Sequence, residues 1–196
     1  MEESVLTRCL SPLCELAEKH GTDKLGVYTP FYDLLFRHNK DKILMVLEIG
    51  IGTPETMKHV KDYKAGASLR MWREYFPNAT IFGADKSDVY NEVKSDRIGA
   101  FHVDQESSED LDRITRLGAT FDLIVDDGSH DPEDQLRTFH FLYPLLRQEG
   151  IYIIEDVDDV SMLSRKLPEH TMVWHAHNYD RREIGRCIVI RQGHAI

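Results

Sequence analysis

The stretch FDLIVDDGSHDPEDQLRTFHFLYPLLRQEGIYIIEDV, residues 121–157, decides the fold. Its two ends, FDLIVDDG and GIYIIEDV, are nearly continuous apolar runs, as expected of strands that are covered on both faces. A helical pattern beginning at DPEDQ separates them, and Pro132 suits the first turn of that helix. A strand, a crossover helix and a second strand form the repeating unit of a parallel sheet.

The same alternation extends toward the N-terminus. ILMVLEIG (residues 43–50) predicts the first strand, and ASLRMWREYF (67–76) predicts the first crossover helix. TIFGADK predicts a second strand that ends at Asp85, and AFHVDQ predicts a third that ends near Asp104. The helix SSEDLDRITRL then leads into the fourth strand, FDLIVDDG.

The two ends of the chain depart from this rhythm. After the fifth strand, TMVWHAHN and CIVIRQ predict two more strands, antiparallel because no helix fits between them. Before the first strand, residues 2–20 and 31–38 have helical patterns, separated by the turn-rich GTDKLGVYTP. We therefore predict an α/β fold with a doubly wound, mostly parallel, seven-stranded Rossmann-like sheet. An N-terminal helical segment (1–40) precedes the sheet domain (41–196).

Composition limits the classes of partner. The chain has 196 residues, enough for one domain with a sizeable core. Its net charge of −10, without a basic cluster, argues against nucleic acid as a partner. The sequence shows no apolar run of membrane-spanning length and no signal-peptide pattern, so we expect a cytoplasmic protein without a membrane partner.

Glycine and acidic residues stand where the five parallel strands end. In open α/β sheets, ligands bind beyond the carboxyl ends of the strands. Turn formation or helix capping explains one or two acids at such places, but explains all five strand ends poorly. The residues at these ends are Glu48, Gly50, Gly52, Asp85, Asp104, Asp126, Asp127, Glu155 and Asp156.

The first three strand ends predict a nucleoside site without phosphates. The first strand ends in Gly-x-Gly, but Glu55 stands where the dinucleotide fingerprint needs a third glycine. An acid at the second strand end suits a ribose diol. S-adenosylmethionine fits this pattern, because its sulfonium and amine favour nearby carboxylates. We predict that it contacts Glu48, Gly50, Gly52, Asp85, Asp104 and Asp126.

The fourth and fifth strand ends predict a metal site. Asp127, Glu155 and Asp156 would offer hard oxygen ligands, which suit Mg²⁺ or Mn²⁺. A bound metal lowers the pKa of a substrate hydroxyl, and His130, three residues after Asp127, could take the proton. Two alternatives stay open: His130 caps the following helix, or Asp126 replaces Asp127, although strand alternation favours Asp127 as the ligand.

Several motifs together resemble a known family. LEIGIG, ASLRMWREYFPNATIFGADK, FDLIVDDGSH, GIYIIEDV and the earlier GTDK are similar to the metal-dependent sugar O-methyltransferases of macrolide biosynthesis, the macrocin and mycinamicin type, and to their cephalosporin-hydroxylase-like relatives. The resemblance runs from about residue 21 to residue 157. It implies a class I methyltransferase fold, Mg²⁺ held by Asp127, Glu155 and Asp156, and His130 as the base. GTDK and Tyr28 would form either a lid or an ordinary helix-capping turn.

The sequence thus predicts an S-adenosylmethionine- and Mg²⁺-dependent O-methyltransferase that acts on a hydroxyl of a small molecule, a sugar or natural product. The acceptor is implied less directly than the cofactor, because no histidine stands between GTDK and Tyr28 and the chain is shorter than members with a further N-terminal domain. A nicotinamide-dependent oxidoreductase, a metal-dependent hydrolase and a non-catalytic nucleoside-binding assembly module remain alternatives. A homo-oligomer, in which a second copy completes the site, also stays open.

Overall fold

The computed structural model describes residues 11–169, 171–178 and 183–193. One seven-stranded sheet organises them, with six α-helices of the described residues on its two faces. The strands are β1 (Met45–Ile49), β2 (Thr80–Asp85), β3 (Ile98–His102), β4 (Phe121–Asp126), β5 (Leu146–Ile154), β6 (Thr171–Asn178) and β7 (Glu183–Arg191). The helices are α1 (Pro12–His20), α2 (Thr29–Phe36), α3 (Ala67–Tyr75), α4 (Ser108–Thr115), α5 (Pro132–Leu142) and α6 (Val160–Lys166).

The strand order is β3-β2-β1-β4-β5-β7-β6. The first five strands are parallel, and β7 runs antiparallel to both of its neighbours, β5 and β6. The predicted doubly wound sheet with an antiparallel end is therefore confirmed. Because the strand order reverses at β1, the crevice beyond β1 and β4 is the place where such sheets bind ligands.

Two apolar cores lie on opposite faces of the sheet. Residues of α1, α2 and α3 form one, in which Trp72 stacks on Phe76 and contacts Tyr32. Residues of α4, α5 and α6 form the other, in which Phe139 packs edge-to-face on Tyr152. The N-terminal segment thus covers one face of the sheet, and this position lets the chain between α1 and α2 reach the strand ends.

Element boundaries differ from the sequence predictions by a few residues. The fourth strand ends at Asp126 rather than Asp127, and α2 begins at Thr29 rather than at residue 31. Helix α1 begins at Pro12 because Ser11 caps it by accepting a hydrogen bond from a backbone N–H of the first turn. The part of that predicted helix that precedes Ser11 lies outside the described residues. Within the described ranges, no helix combines the length and apolarity needed to cross a bilayer.

Candidate active site

A cavity of about 610 Å³ opens beyond the carboxyl ends of the parallel strands. Its volume is in the range of ordinary small-molecule sites. The β1 turn, the ends of β2 and β3, the loop after β4 and the segment between α1 and α2 all contribute to its walls. Most of its charged lining residues are acids, which favours a cationic ligand. The acidic lining residues are Asp23, Asp85, Asp104, Glu106, Asp127 and Asp156.

The two glycines of the β1 turn are required by close packing. Gly50 has a φ of +91°, and a Cβ there would lie 2.0 Å from the carbonyl oxygen of Asp127. Gly52 has a φ of +74°, and a Cβ there would lie 2.5 Å from the Tyr63 hydroxyl. That hydroxyl donates a 2.9 Å hydrogen bond to the Ile51 carbonyl. The Gly-x-Gly motif therefore brings the ends of β1 and β4 together and also lines the cavity.

Asp85 ties the end of β2 to the β1 turn. Its Oδ2 accepts hydrogen bonds from the backbone N–H groups of Ile51 at 2.8 Å and Gly52 at 3.3 Å. Its Oδ1 accepts from the backbone N–H of Ser87 at 2.8 Å and from the Ser87 hydroxyl at 2.5 Å. These bonds occupy the roughly four lone-pair sites of a carboxylate. A ribose hydroxyl that binds Asp85 must therefore share or displace the Ser87 hydroxyl.

Two of the predicted cofactor-binding acids, Glu48 and Asp126, do not line the cavity. Glu48 is fully buried and accepts a 3.1 Å hydrogen bond from Trp72 Nε1. Asp126 is also fully buried, and its Oδ1 accepts a 2.7 Å hydrogen bond from Gln105 Nε2. Burial raises the pKa of Glu48 above its usual range and that of Asp126 to about 8. These two acids lie behind the cavity wall, whereas Gly50, Gly52, Asp85 and Asp104 form part of it.

Asp127, His130 and Asp156 come together at the cavity wall. Each offers one ligand atom, and these atoms all lie within 4.8 Å of one another. His130 Nε2 is 3.5 Å from Asp156 Oδ2. As strand alternation predicted, the two acids differ in exposure: Asp127 lines the cavity, whereas Asp126 does not and accepts a hydrogen bond from Gln105. Two carboxylates and an imidazole at this spacing form a donor set that fits a divalent metal.

His130 does not cap the helix that follows it. The cap of α5 is Asp131, whose Oδ1 accepts hydrogen bonds from the backbone N–H groups of Glu133 at 2.9 Å and Asp134 at 3.3 Å. The His130 side chain is 50% exposed and lines the cavity instead. Its ring is thus available to a ligand, and the capping alternative for His130 is excluded.

Lys24, the last residue of GTDK, joins the acids from the N-terminal segment. Its Nζ lies 2.6 Å from Asp127 Oδ2, 2.8 Å from Glu155 Oε2 and 3.3 Å from Glu48 Oε1. The other Glu155 oxygen, Oε1, accepts a 2.9 Å hydrogen bond from the Tyr32 hydroxyl. Glu155 therefore bonds to Lys24 and Tyr32 in this structure. It is not part of the group formed by Asp127, His130 and Asp156.

Lys24 and the acids around it stabilise each other's charged forms. Burial alone would lower the pKa of Lys24, but the charges of Asp127, Glu155 and Glu48 outweigh it and raise that pKa well above 10.5. Burial raises the pKa of Glu155 to about 7, and the Lys24 ammonium opposes that rise. Because two carboxylate oxygens lie within 2.8 Å of Nζ, Lys24 carries its proton.

The GTDK segment forms the cap of α1 and also contacts the acids of the site. Gly21 ends α1 in the left-handed conformation, and its N–H bonds to the carbonyls of Ala17 and Glu18. Three residues later, Lys24 enters the acidic group, and Tyr28 donates a 2.5 Å hydrogen bond to Asp156 Oδ1. From the sequence we expected this segment near the site but predicted no contact for Lys24 or Tyr32. One signal in the sequence could have indicated a site contact for Lys24: it lies in GTDK, one of the motifs that resemble the metal-dependent family.

No family model matches the chain. Among curated proteins, it is 40% identical over 161 residues to the mycinamicin VI 2''-O-methyltransferase of Micromonospora griseorubida, covering 79% of this chain and 39% of that protein. It is 36% identical over 160 residues to the demethylmacrocin O-methyltransferase of Streptomyces fradiae, with the same coverage of each. The chain therefore spans about four-tenths of the length of these relatives.

A solved structure supports the same relationship. The MycE methyltransferase of the mycinamycin biosynthetic pathway, in complex with Mg, SAH and mycinamycin VI, superposes with a TM-score of 0.72 and 30% sequence identity. The match covers 94% of this chain and 56% of that one. It includes the seven-stranded sheet with its antiparallel end. The chain is thus a homologue of the macrocin- and mycinamicin-type sugar O-methyltransferases and has the class I methyltransferase fold.

Proposed function

We propose that this protein transfers a methyl group from S-adenosylmethionine to a hydroxyl of a small molecule, a sugar or another natural product, with Mg²⁺ or Mn²⁺ at its site. One observation carries the proposal: the glycine turn with Asp85 and the group of Asp127, His130 and Asp156 line the same cavity. The proposed sites for a cationic nucleoside and for a divalent metal would thereby share one space. The relatives are named as O-methyltransferases, which supports the same reaction.

The donor half of the cavity fits S-adenosylmethionine by charge and shape. Acids outnumber basic residues on its walls, which suits a ligand with a sulfonium and an amine. Gly50 and Gly52 keep side chains out of the β1 turn, and Asp85 with Asp104 offers oxygens at the ends of β2 and β3. The methyl donor would bind there, with Asp85 facing its ribose.

The acceptor half centres on His130. Asp127 and Asp156 would hold the metal, which when bound lowers the pKa of an adjacent acceptor hydroxyl. The His130 ring is half exposed. Its Nε2 lies 3.5 Å from Asp156 Oδ2, within the group of possible ligand atoms of Asp127, His130 and Asp156. His130 would accept the hydroxyl proton at a ring nitrogen as the oxygen attacks the methyl carbon, the carbon–sulfur bond breaks and S-adenosylhomocysteine leaves. The enclosing walls would align acceptor and donor, which is a large part of such catalysis.

Titration calorimetry of the full chain with S-adenosylmethionine, with and without Mg²⁺, tests the proposal. We expect micromolar binding and a weaker signal from Asp85→Ala, because that substitution removes the carboxylate facing the ribose. Asp88→Ala, an exposed acid outside the cavity, serves as the control. No binding of the folded protein in either condition would overturn the methyltransferase proposal, and metal binding alone would favour a hydrolase. If S-adenosylmethionine binds, the acceptor hydroxyl would next be sought among glycosylated and free sugars.

Three further points stay predictions. They are the division into an N-terminal lid (1–40) and a methyltransferase domain (41–196), the cytoplasmic location, and a homo-oligomeric state. The contacts of Lys24 and Tyr28 with the site acids support the first of these.

A further inference from the structure

Gln105, a residue of the cavity wall, connects three elements of the fold. It follows β3 and is 7% exposed. Its side-chain Nε2 donates hydrogen bonds to Asp126 Oδ1 at 2.7 Å and to Thr138 Oγ1 at 2.9 Å. Its Oε1 accepts a 2.6 Å hydrogen bond from the backbone N–H of Ser129. One side-chain amide thus bonds to β4, to α5 and to the loop between them, and both of its Nε2 hydrogens are in use.

We infer that Gln105 is a positioning residue: through the Ser129 amide it fixes the loop after β4 and so sets the place of His130 in the cavity. This inference rests on the proposed function, in which His130 is the base. Ser129 directly precedes His130, so its hydrogen bond restrains the backbone from which the His130 side chain extends. Because the ring itself is half exposed, its position depends strongly on that backbone.

Ser129 is held from a second side. Its hydroxyl donates a 2.8 Å hydrogen bond to Asp134 Oδ2, and Asp134 forms an ion pair with Arg137. Arg137 Nη1 in turn donates a 3.1 Å hydrogen bond to the backbone carbonyl of Gln105. The chain of bonds is therefore closed, because it leaves Gln105 at the side chain and returns to it at the backbone. In such a network each bond orients the groups of the next, which restricts the loop to few positions.

Gly128 of DGSH leaves the space that the Gln105 amide occupies. A Cβ at position 128 would overlap Gln105 Oε1 and would also lie 3.3 Å from a methyl carbon of Ile49. Gly128 is not among the glycines with a positive φ, so space rather than backbone conformation requires glycine here. Residues 128–130 then have successive tasks: the first makes room for Gln105, the second bonds to it and the third enters the cavity.

The place of Gln105 in the chain also relates the two halves of the cavity. Asp104 and Glu106, its neighbours in sequence, line the wall against which the methyl donor would bind. His130 is thus anchored to the segment that would border the donor. Methyl transfer depends on the alignment of acceptor oxygen, methyl carbon and sulfur, and a displacement of about 1 Å can cost on the order of 10²-fold in rate. A base anchored in this way keeps its place relative to the donor.

Gln105→Met in the full chain removes the side-chain amide and keeps a side chain of similar length. Exchange of the Ser129 amide hydrogen, followed by NMR in heavy water, should become faster by about fivefold or more, because that N–H loses its partner. The backbone order parameter of His130 should fall from about 0.85 to below about 0.6. Affinity for S-adenosylmethionine, measured by calorimetry, should change less than about threefold, since the polar atoms of the Gln105 side chain bond within the protein. An unchanged exchange rate and order parameter would overturn the inference.

Thr138→Val is the matched control. It removes a 2.9 Å hydrogen bond at the other end of the Gln105 amide and leaves the bond to Ser129 in place. Because Thr138 is fully buried, this variant should lose stability. The Ser129 exchange rate and the His130 order parameter should nevertheless stay near their wild-type values. Equal loosening in both variants would show that general packing, and not the bond from Ser129 to Gln105, holds the loop.

The double variant Gln105→Glu/Asp126→Asn tests the hydrogen bonds themselves. It exchanges donor and acceptor, because one glutamate oxygen can accept from the Ser129 amide and the other from the asparagine Nδ2. The number of carboxyl groups is unchanged. The Ser129 exchange rate should return to within about threefold of the wild-type rate, and the His130 order parameter to about 0.85. A double variant as loose as Gln105→Met would contradict the role of Gln105.

Failure of the inference can be told from failure of the proposed function, because the NMR measurements need neither donor nor acceptor. If the wild type binds S-adenosylmethionine and Gln105→Met leaves His130 ordered, the inference is wrong and the methyltransferase proposal stands. If Gln105→Met loosens the loop and the folded wild type does not bind S-adenosylmethionine, the methyltransferase proposal is wrong and the hold of Gln105 on the loop stands.

Discussion

The Tyr28 hydroxyl and the Asp156 carboxylate, 128 residues apart in the chain, are joined by a 2.5 Å hydrogen bond from the hydroxyl to Oδ1. The backbone N–H of Asp156 in turn donates to the Tyr28 oxygen at 3.2 Å. Asp156 has a φ of +48°, in the left-handed region that few non-glycine residues adopt and in which Asp is enriched. The reciprocal pair thus links the N-terminal segment to the orientation of a proposed metal ligand.

Tyr28→Phe should weaken Mn²⁺ binding by about tenfold, because a ligand carboxylate that loses its outer hydrogen-bond partner is held less firmly. Tyr75→Phe is the matched control, since Tyr75 donates a 2.9 Å hydrogen bond to Asp33 away from the cavity. Calorimetric titration of both variants measures the effect. Equal affinities in Tyr28→Phe and the wild type would mean that the Tyr28 bond does not orient Asp156.

His130→Ala should reduce methyl transfer by about 10² to 10⁴-fold, the usual contribution of a general base. Affinity for S-adenosylmethionine should change less than about twofold, because the ring lies in the proposed acceptor half. His140→Ala, at an exposed position on α5 outside the cavity, provides the control. Loss of donor binding by a folded His130→Ala protein would contradict the assignment of His130 as the base.

Gly50→Ala should destabilise the protein by on the order of 3 kcal/mol and abolish donor binding, since its Cβ would meet the Asp127 carbonyl oxygen at 2.0 Å. Gly118→Ala separates this clash from backbone strain. Gly118 also has a positive φ, +65°, but a Cβ there would meet nothing within 4 Å, so we expect a loss of about 1 kcal/mol. Urea unfolding of both variants measures the difference. Equal losses would show that the contact between β1 and β4 is not critical.

The fold could be predicted from local pattern because each of the five parallel strands is an apolar run with glycine or acid at or just beyond its end. The position of Asp85, Asp127, His130 and Asp156 at one crevice follows from that pattern and from the general behaviour of parallel sheets, whereas the strand order was not predicted.

The contacts that cross between distant segments could not be predicted in the same way. Whether Glu155 meets a metal or Lys24 depends on where the segment between α1 and α2 packs, and no periodicity encodes that. Likewise, Glu48 and Asp126 stand at strand ends, yet they do not line the cavity and instead accept hydrogen bonds from Trp72 and Gln105. Strand alternation separated Asp126 from Asp127 but did not show which of the other acids would be covered.

Asp126 should make the stability of the protein depend on pH. Burial raises its pKa from 3.8 to about 8, so the folded protein retains a proton that the unfolded chain releases near pH 4. The stabilising effect of that proton is therefore complete below about pH 4 and is lost as the pH rises toward 8. Asp126→Asn, which cannot ionise, should be increasingly more stable than the wild type from pH 5 to pH 8, by up to a few kcal/mol.

The control for this prediction is Asp88→Asn, an exposed acid in the short helix Asp88–Asn91. Thermal unfolding of all three proteins between pH 5 and pH 8 gives the comparison, without added metal. The midpoint difference between Asp126→Asn and the wild type should grow with pH, and that between Asp88→Asn and the wild type should stay flat. A difference that stays flat from pH 5 to pH 8 would mean that Asp126 is already ionised in the folded protein at pH 5. The hydrogen bond from Gln105 would then outweigh the cost of burying the charge.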